Sequence, residues 1–206
     1  VLRLGGLLAM LDWVDALATY DKDGDYGVFA PLLAADGMEK GRAELLARAA
    51  YFERTSNPVR ARETLSSVFP SVEAHAGALG GLFAETLRKR IDWFRGPKRD
   101  DWELSLADAY RERGDYLRAA TFLYEAFITR ACFERPGNPN DFNDFKKRKD
   151  AYAVARSEKP AVAQLEYLRN GLAHGVRPRN DQVVRTLDDE NELRAALKTL
   201  RKHLFP

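Results

Sequence analysis

Arg169, Asn170 and His174 place a cation, a carboxamide and a titratable ring within six residues. The chain has only three histidines, and one of them sits in this cluster. Such a trio can bind a phosphate and move protons without a metal ion. A guanidinium offers several donors in a fixed fork to phosphate oxygens. An imidazole, with an ordinary pKa of about 6.5, can shuttle a proton near neutral pH. RNA is open to that chemistry, because its own 2′-hydroxyl can attack the adjacent phosphorus. The products are a 2′,3′-cyclic phosphate and a free 5′-hydroxyl. Positioned proton transfer contributes roughly 10²–10⁴-fold in rate.

The geometry sets a condition. On an ideal helix Arg169 and His174, five positions apart, point about 140° away from each other. Asn170 and His174 are four apart and share a face. One helix presents arginine and histidine together only if it frays at Gly171 or Gly175. A two-fold dimer would instead pool two copies of the segment in one cleft, and isologous dimers are the commonest oligomers. A plainer reading also stands: a histidine before glycine at a helix end is an ordinary cap, favoured by the helix dipole.

The elements that must position this segment read as helices. Leu7, Leu8, Leu11, Val14, Leu17 and Ala18 repeat at steps of three and four. Helical patterns follow over 39–52, 59–69, 79–94, 102–113, 116–133, 149–157, 158–174 and 187–205. Pro70 is expected to end the third of these, and Gly175 with Pro178 the one that carries the motif. Pro160 is tolerated in that helix's first turn. Residues 135–143 read as a loop. Gln182–Thr186 is the only mild strand candidate. The fold expected is all-α, a helical bundle with a preceding helical linker. The boundary is expected near residue 58, with a linker over 1–58 and a helical domain over 59–206.

Composition bounds the partners. With 206 residues, 45% of them hydrophobic and 31% charged, the chain can bury a core. A net charge of +2 is too mild to mark nucleic-acid binding overall, so any basic site must be local. Lys146 and Lys147 follow Phe142 and Phe145 and could grip an RNA backbone, although a solvated loop is the simpler reading. Arg177 and Arg179 lie just beyond the motif and are better placed for phosphate contacts. A single cysteine, Cys132, excludes an intrachain disulfide framework and fits a reducing, cytoplasmic setting. No apolar run is long enough for a membrane span. Asp21-x-Asp23-x-Asp25 begins like a calcium loop, but glycine falls at its fourth position and Leu32 stands where a bidentate Glu is needed. It reads as a polar turn, and neither metal nor cofactor is expected.

Leu165–Gly175 resembles the L-R-N-x-x-A-H-G form of the HEPN ribonuclease superfamily, and more narrowly of the CRISPR-associated ribonucleases that accompany type III systems. Leu11–Leu17 with Gly24-Asp25 is similar to their helical linker. Ala109–Ala120 with Glu125-Ala126 is similar to their central helical hairpin. The resemblance implies a metal-independent, homodimeric nuclease for single-stranded RNA, paired through the motif helix. Arg169 would bind phosphate and stabilise the transition state, His174 would act as acid/base or orient the 2′-hydroxyl, and Asn170 would support the site. Such proteins carry an N-terminal sensor of cyclic oligoadenylate. No sensor pattern occurs here, so the chain is expected to be the C-terminal part of a longer protein, with 1–6 as a stub of the sensor's last strand. Cyclic oligoadenylate would act only through that missing domain. Two alternatives stay open. Leu106-x₃-Tyr110-x₃-Gly114-Asp115-Tyr116 fits one tetratricopeptide unit, as in a non-enzymatic interaction module. A HEPN toxin held by an antitoxin is the other.

Overall fold

The computed structural model describes residues 4–134, 145–175 and 180–206. Among them the chain is all-α, with eleven α-helices, two short 3-10 turns and no strand. It divides into two compact units, Val1–Gly96 and Pro97–Pro206. The division is thus at Gly96–Pro97 rather than near residue 58. Residue 58 falls between two helices that pack on each other, α3 (Lys40–Arg54) and α4 (Pro58–Ala74). Local patterning gives helices but not their partners.

The first unit begins with α1 (Leu4–Asp23), which buries Trp13, Ala16 and Tyr20 at steps of three and four. Trp13 stacks against Phe29 at 5.9 Å and Phe83 at 5.2 Å between ring centres. Gly5 and Gly6 lie in the first turn of this helix, so the expected strand stub is helical from Leu4 onward; residues 1–3 lie outside the described residues. A 3-10 turn (Tyr26–Phe29) and a short α2 (Ala30–Ala35) lead to α3. Asn57 caps α4 by accepting from the Arg60 N–H, and Pro58 occupies its first turn. Pro70 does not end this helix. It costs the bond that residue 70 would donate, yet burial of Phe69 and Val72 on either side carries the helix to Ala74. α5 (Gly80–Ile91) and a 3-10 turn (Asp92–Arg95) complete a core centred on Phe29, Leu46, Leu65, Val68 and Ile91.

The loop before α5 is held by a side chain from α2's end. Asp36 accepts from the Gly80 N–H at 2.6 Å and the Leu79 N–H at 3.2 Å, and pairs with His75 Nε2 at 3.1 Å. Burial raises the Asp36 carboxyl, but the two backbone donors and His75 together hold it below its ordinary value. The space is tight: a Cβ on Gly77 would fall 2.0 Å from Asp36 Oδ2.

The second unit is built on an antiparallel hairpin of α6 (Arg99–Glu112) and α7 (Tyr116–Phe133). Gly114 takes φ 78°, the left-handed turn that glycine adopts without strain, and Asp115 caps α7 through the Arg118 N–H. Ala119 and Ala120 let the helices approach, and Tyr110 stacks on Phe122 at 5.6 Å. α8 (Phe145–Glu158) and α9 (Pro160–His174) pack on α7, separated from each other by Lys159 alone. α10 (Asp181–Asp188) occupies the stretch expected as a strand. Asn180 caps it by accepting from the Gln182 and Val183 N–H groups, and the cap decides the local conformation where a five-residue pattern could not. α11 (Glu190–Leu204) closes the unit with Leu193, Leu197, Leu200 and Leu204 buried.

A buried polar chain ties α6, α7 and α8 together. Glu103 is fully buried; it meets Arg99 at 2.7 Å and accepts from Thr129 Oγ1 at 2.6 Å. Arg148 donates to Thr129 Oγ1 and to Glu125. Burial pushes the Glu103 carboxyl above its usual range, although Arg99, Thr129 and Arg148 all oppose the rise.

Candidate functional site

α9 forms where the sequence places it. Pro160 sits in its first turn, and Val162, Leu165 and Leu168 bury its inner face. Gly175 ends it at φ 61°, donating its N–H to the Gly171 carbonyl at 3.0 Å, as a C-terminal cap does. The helix is unbroken through Gly171, so no fray rotates its last turn. Arg169 and His174 therefore keep the roughly 140° separation of an ideal helix. One copy of the chain does not bring the two together.

Arg169 is held by two neighbours. Its guanidinium carbon lies 5.3 Å from the centre of the Tyr124 ring on α7. Its Nη1 donates to Asn170 Oδ1 at 3.0 Å. Nε is buried and has no hydrogen-bond partner among the described residues. A cation over an aromatic face is attracted by the ring's negative quadrupole, by about 0.5–2 kcal/mol according to exposure. Asn170 is thus a brace for the arginine, half-buried like it. His174 is exposed on the last helical residue and makes no hydrogen bond or ion pair among the described residues.

Tyr124 belongs to a small cluster. It packs on Tyr152 of α8 with ring centres 5.4 Å apart. Glu166 pairs with Arg156 at 2.8 Å. Burial raises the Tyr124 phenol, against the lowering effect of the Tyr152 hydroxyl and of the Arg169 charge. Burial, and then the Glu166 carboxylate, keep the Tyr152 phenol protonated far above its ordinary range. Neither ring is therefore a proton donor or acceptor at neutral pH; their work is to seat Arg169. Nothing near Arg169 in the sequence marks Tyr124 or Tyr152, because the contact is made between helices. The one local sign is Glu166, three residues before Arg169 on the same helix.

The basic run is divided by the fold. Lys146 and Lys147 are exposed in the first turn of α8. Arg148 turns inward to Thr129 and Glu125. The two lysines and His174 lie at the ends of α8 and α9 remote from the Lys159 turn. Arg177 and Arg179 lie outside the described residues. The acids of the calcium-like segment do not converge: Asp21 pairs with Arg90, while Asp25 pairs with Arg54 and caps the Gly27 N–H. His75 is engaged with Asp36, and His203 is exposed on α11. No helix among the described residues is long and apolar enough to cross a membrane.

No family model matches the chain, and neither a curated protein nor a solved structure matches it.

Proposed function

We propose that this chain is an endoribonuclease that cleaves single-stranded RNA without a metal ion, by attack of the 2′-hydroxyl on the adjacent phosphorus. The proton of the attacking hydroxyl is lost, the phosphorus–5′-oxygen bond breaks, and the departing oxygen takes up a proton as a 5′-hydroxyl. Arg169 stabilises the charge on the phosphorane, and His174 handles a proton or orients the hydroxyl. Asn170 keeps the arginine in place. Lys146 and Lys147, with Arg177 and Arg179, would track the RNA backbone.

The observation that carries the reading is the contrast between the two ends of the motif. Arg169 is fixed over Tyr124 and braced by Asn170, while His174 stands exposed on the capped last residue of the same helix. A fixed phosphate-binding cation beside a free base is what this chemistry needs. The separation within one helix makes the site composite: Arg169 and His174 come together only across a homodimer of the α9 segment. Within the same reading, the chain is the effector part of a type III CRISPR ancillary nuclease, answering to cyclic oligoadenylate through a sensor domain it does not itself contain.

The test is cleavage of a fluorophore–quencher single-stranded RNA in EDTA by the purified chain, beside His174→Ala at equal concentration. Cleavage that is lost in the variant supports the reading. Equal cleavage by both proteins, or none by a chain shown to be dimeric, overturns it for the chain as it stands. A second reading has one observation behind it. The α6–α7 hairpin, with Gly114 at the turn and small alanines at the contact, has the build of a tetratricopeptide unit. A helical interaction module would bind its partner equally well with His174→Ala.

A further inference from the structure

α1 has two apolar faces. Trp13, Ala16 and Tyr20 face the core of the first unit. On the other side Leu4, Leu7, Leu11 and Val14 recur at steps of three, four and three, and are 67%, 57%, 51% and 49% exposed. Leu8 and Met10 flank them and are exposed as well. This is the a/d spacing of a coiled-coil seam, with its flanking positions apolar too. It is not the wider stripe by which a helix meets a globular core, and here that role falls to the opposite face.

From this seam we propose that α1 pairs with α1 of a second copy of the chain, antiparallel, around a two-fold axis. Area and charge both select that occupant. The six side chains offer on the order of 600 Å² per copy, at the upper end of what monomers leave exposed. Two copies together would remove about 1,000 Å² or more from water, the size at which specific interfaces begin. Charge fixes the direction. The second half of the helix carries Asp12, Asp15, Asp21 and Asp23 against the single Lys22, while residues 4–11 carry no charge at all. A parallel pair would bring the acidic halves together and put Asp21 opposite its own copy on the seam. The antiparallel pair lays each acidic half against a neutral one, with Leu7 packing on the other copy's Leu11 and Leu4 on its Val14. The pairing does not depend on the ribonuclease reading, which uses α9 in the other unit.

Sedimentation of the intact chain at about 50 µM tests this, comparing wild type with Leu7→Glu/Leu11→Glu and with Leu82→Glu. Leu82 is equally exposed, on α5 and off the seam, so its variant controls for added charge. All three should give the same helical circular dichroism, since none of these side chains is in the core. The expected result is self-association in wild type and Leu82→Glu, lost or weakened at least tenfold in Leu7→Glu/Leu11→Glu. A wild type that stays monomeric overturns the proposal, because the seam is then covered within the chain or by another partner. So does a dimer unaffected by the double variant, which would place the interface elsewhere, α9 included. The RNA cleavage assay reads the other proposal separately.

Discussion

The guanidinium of Arg169 stands over the ring of Tyr124. A motif residue on α9 is thereby fixed by an aromatic side chain of α7 that no motif contains. Tyr124→Leu keeps most of the volume and removes the ring's quadrupole. It is expected to lower stability in urea unfolding by about 0.5–1 kcal/mol, the worth of a partly exposed cation–π contact. Tyr124→Phe should keep that contact. If the ribonuclease reading holds, Tyr124→Leu slows cleavage and Tyr124→Phe does not. Equal stability of the Leu and Phe variants would mean that the ring contributes only bulk.

His174 is exposed and unpaired among the described residues. His174→Ala should therefore leave the unfolding midpoint within experimental error while reducing cleavage by about 10²-fold or more. A matched loss of stability and cleavage would make the residue structural.

Lys146 and Lys147 are the exposed part of the basic run. If both touch RNA phosphates, replacing them with Ala should make the dependence of log affinity on log salt shallower by about 1.4, given roughly 0.7 per phosphate on a single strand. Fluorescence anisotropy over a salt series measures this. An unchanged slope removes them from the interface.

Glu103 gives a pH prediction with a definite sign. Burial raises its carboxyl in the folded state, so the folded chain holds this proton more tightly than the unfolded chain does. Stability then falls as pH rises from the ordinary glutamate value through the folded one. Glu103→Gln cannot titrate. Relative to wild type, the variant should gain stability steadily from about pH 4.5 upward over that window, whatever the sign of the difference at the acid end. Urea midpoints at half-unit steps provide the check, and two parallel curves would contradict it.

Asp36 acts in the opposite sense. Its carboxyl is held below its ordinary value, so its contribution is present above the unfolded pKa and is lost as pH falls through the folded one. Asp36→Asn should blunt the acid end of the stability profile. Asp36→Ala is expected to cost about 1–3 kcal/mol, since the Gly80 and Leu79 N–H groups lose their acceptor. Gly77→Ala should destabilise comparably, because its Cβ would sit on the Asp36 carboxylate and 2.6 Å from the Asp36 carbonyl oxygen.

Much of the helical architecture was legible because it is written locally. Asn57 before Pro58, Gly114-Asp115 between two apolar runs, and Gly175 after His174 each act within one turn of a helix, and each ends or starts a helix where expected. The departures arise where distant packing overrides a local signal. Pro70 sits inside a helix because Phe69 and Val72 are buried around it. The division at Gly96–Pro97 depends on α3 meeting α4, which periodicity does not encode. The candidate site divides the same way. Arg169, Asn170 and His174 could be found from their types and spacing, whereas Tyr124 and Tyr152 could not. The inward turn of Arg148, beside two lysines of like charge, depends on Thr129 and Glu125 of another helix.

The Glu103–Thr129–Arg148 chain also orders events in time. α6 and α7 are neighbours in sequence, closed by a two-residue turn, and such short-range contacts form early because little loop entropy opposes them. Arg148 finds its acceptors only once that hairpin exists, since Thr129 and Glu125 come from α7, and Thr129 in turn is bonded to Glu103 of α6. α8 is thus a late arrival whose docking reads whether the hairpin is correctly made. A variant that breaks the Arg148 contacts should speed unfolding while leaving the folding rate nearly unchanged.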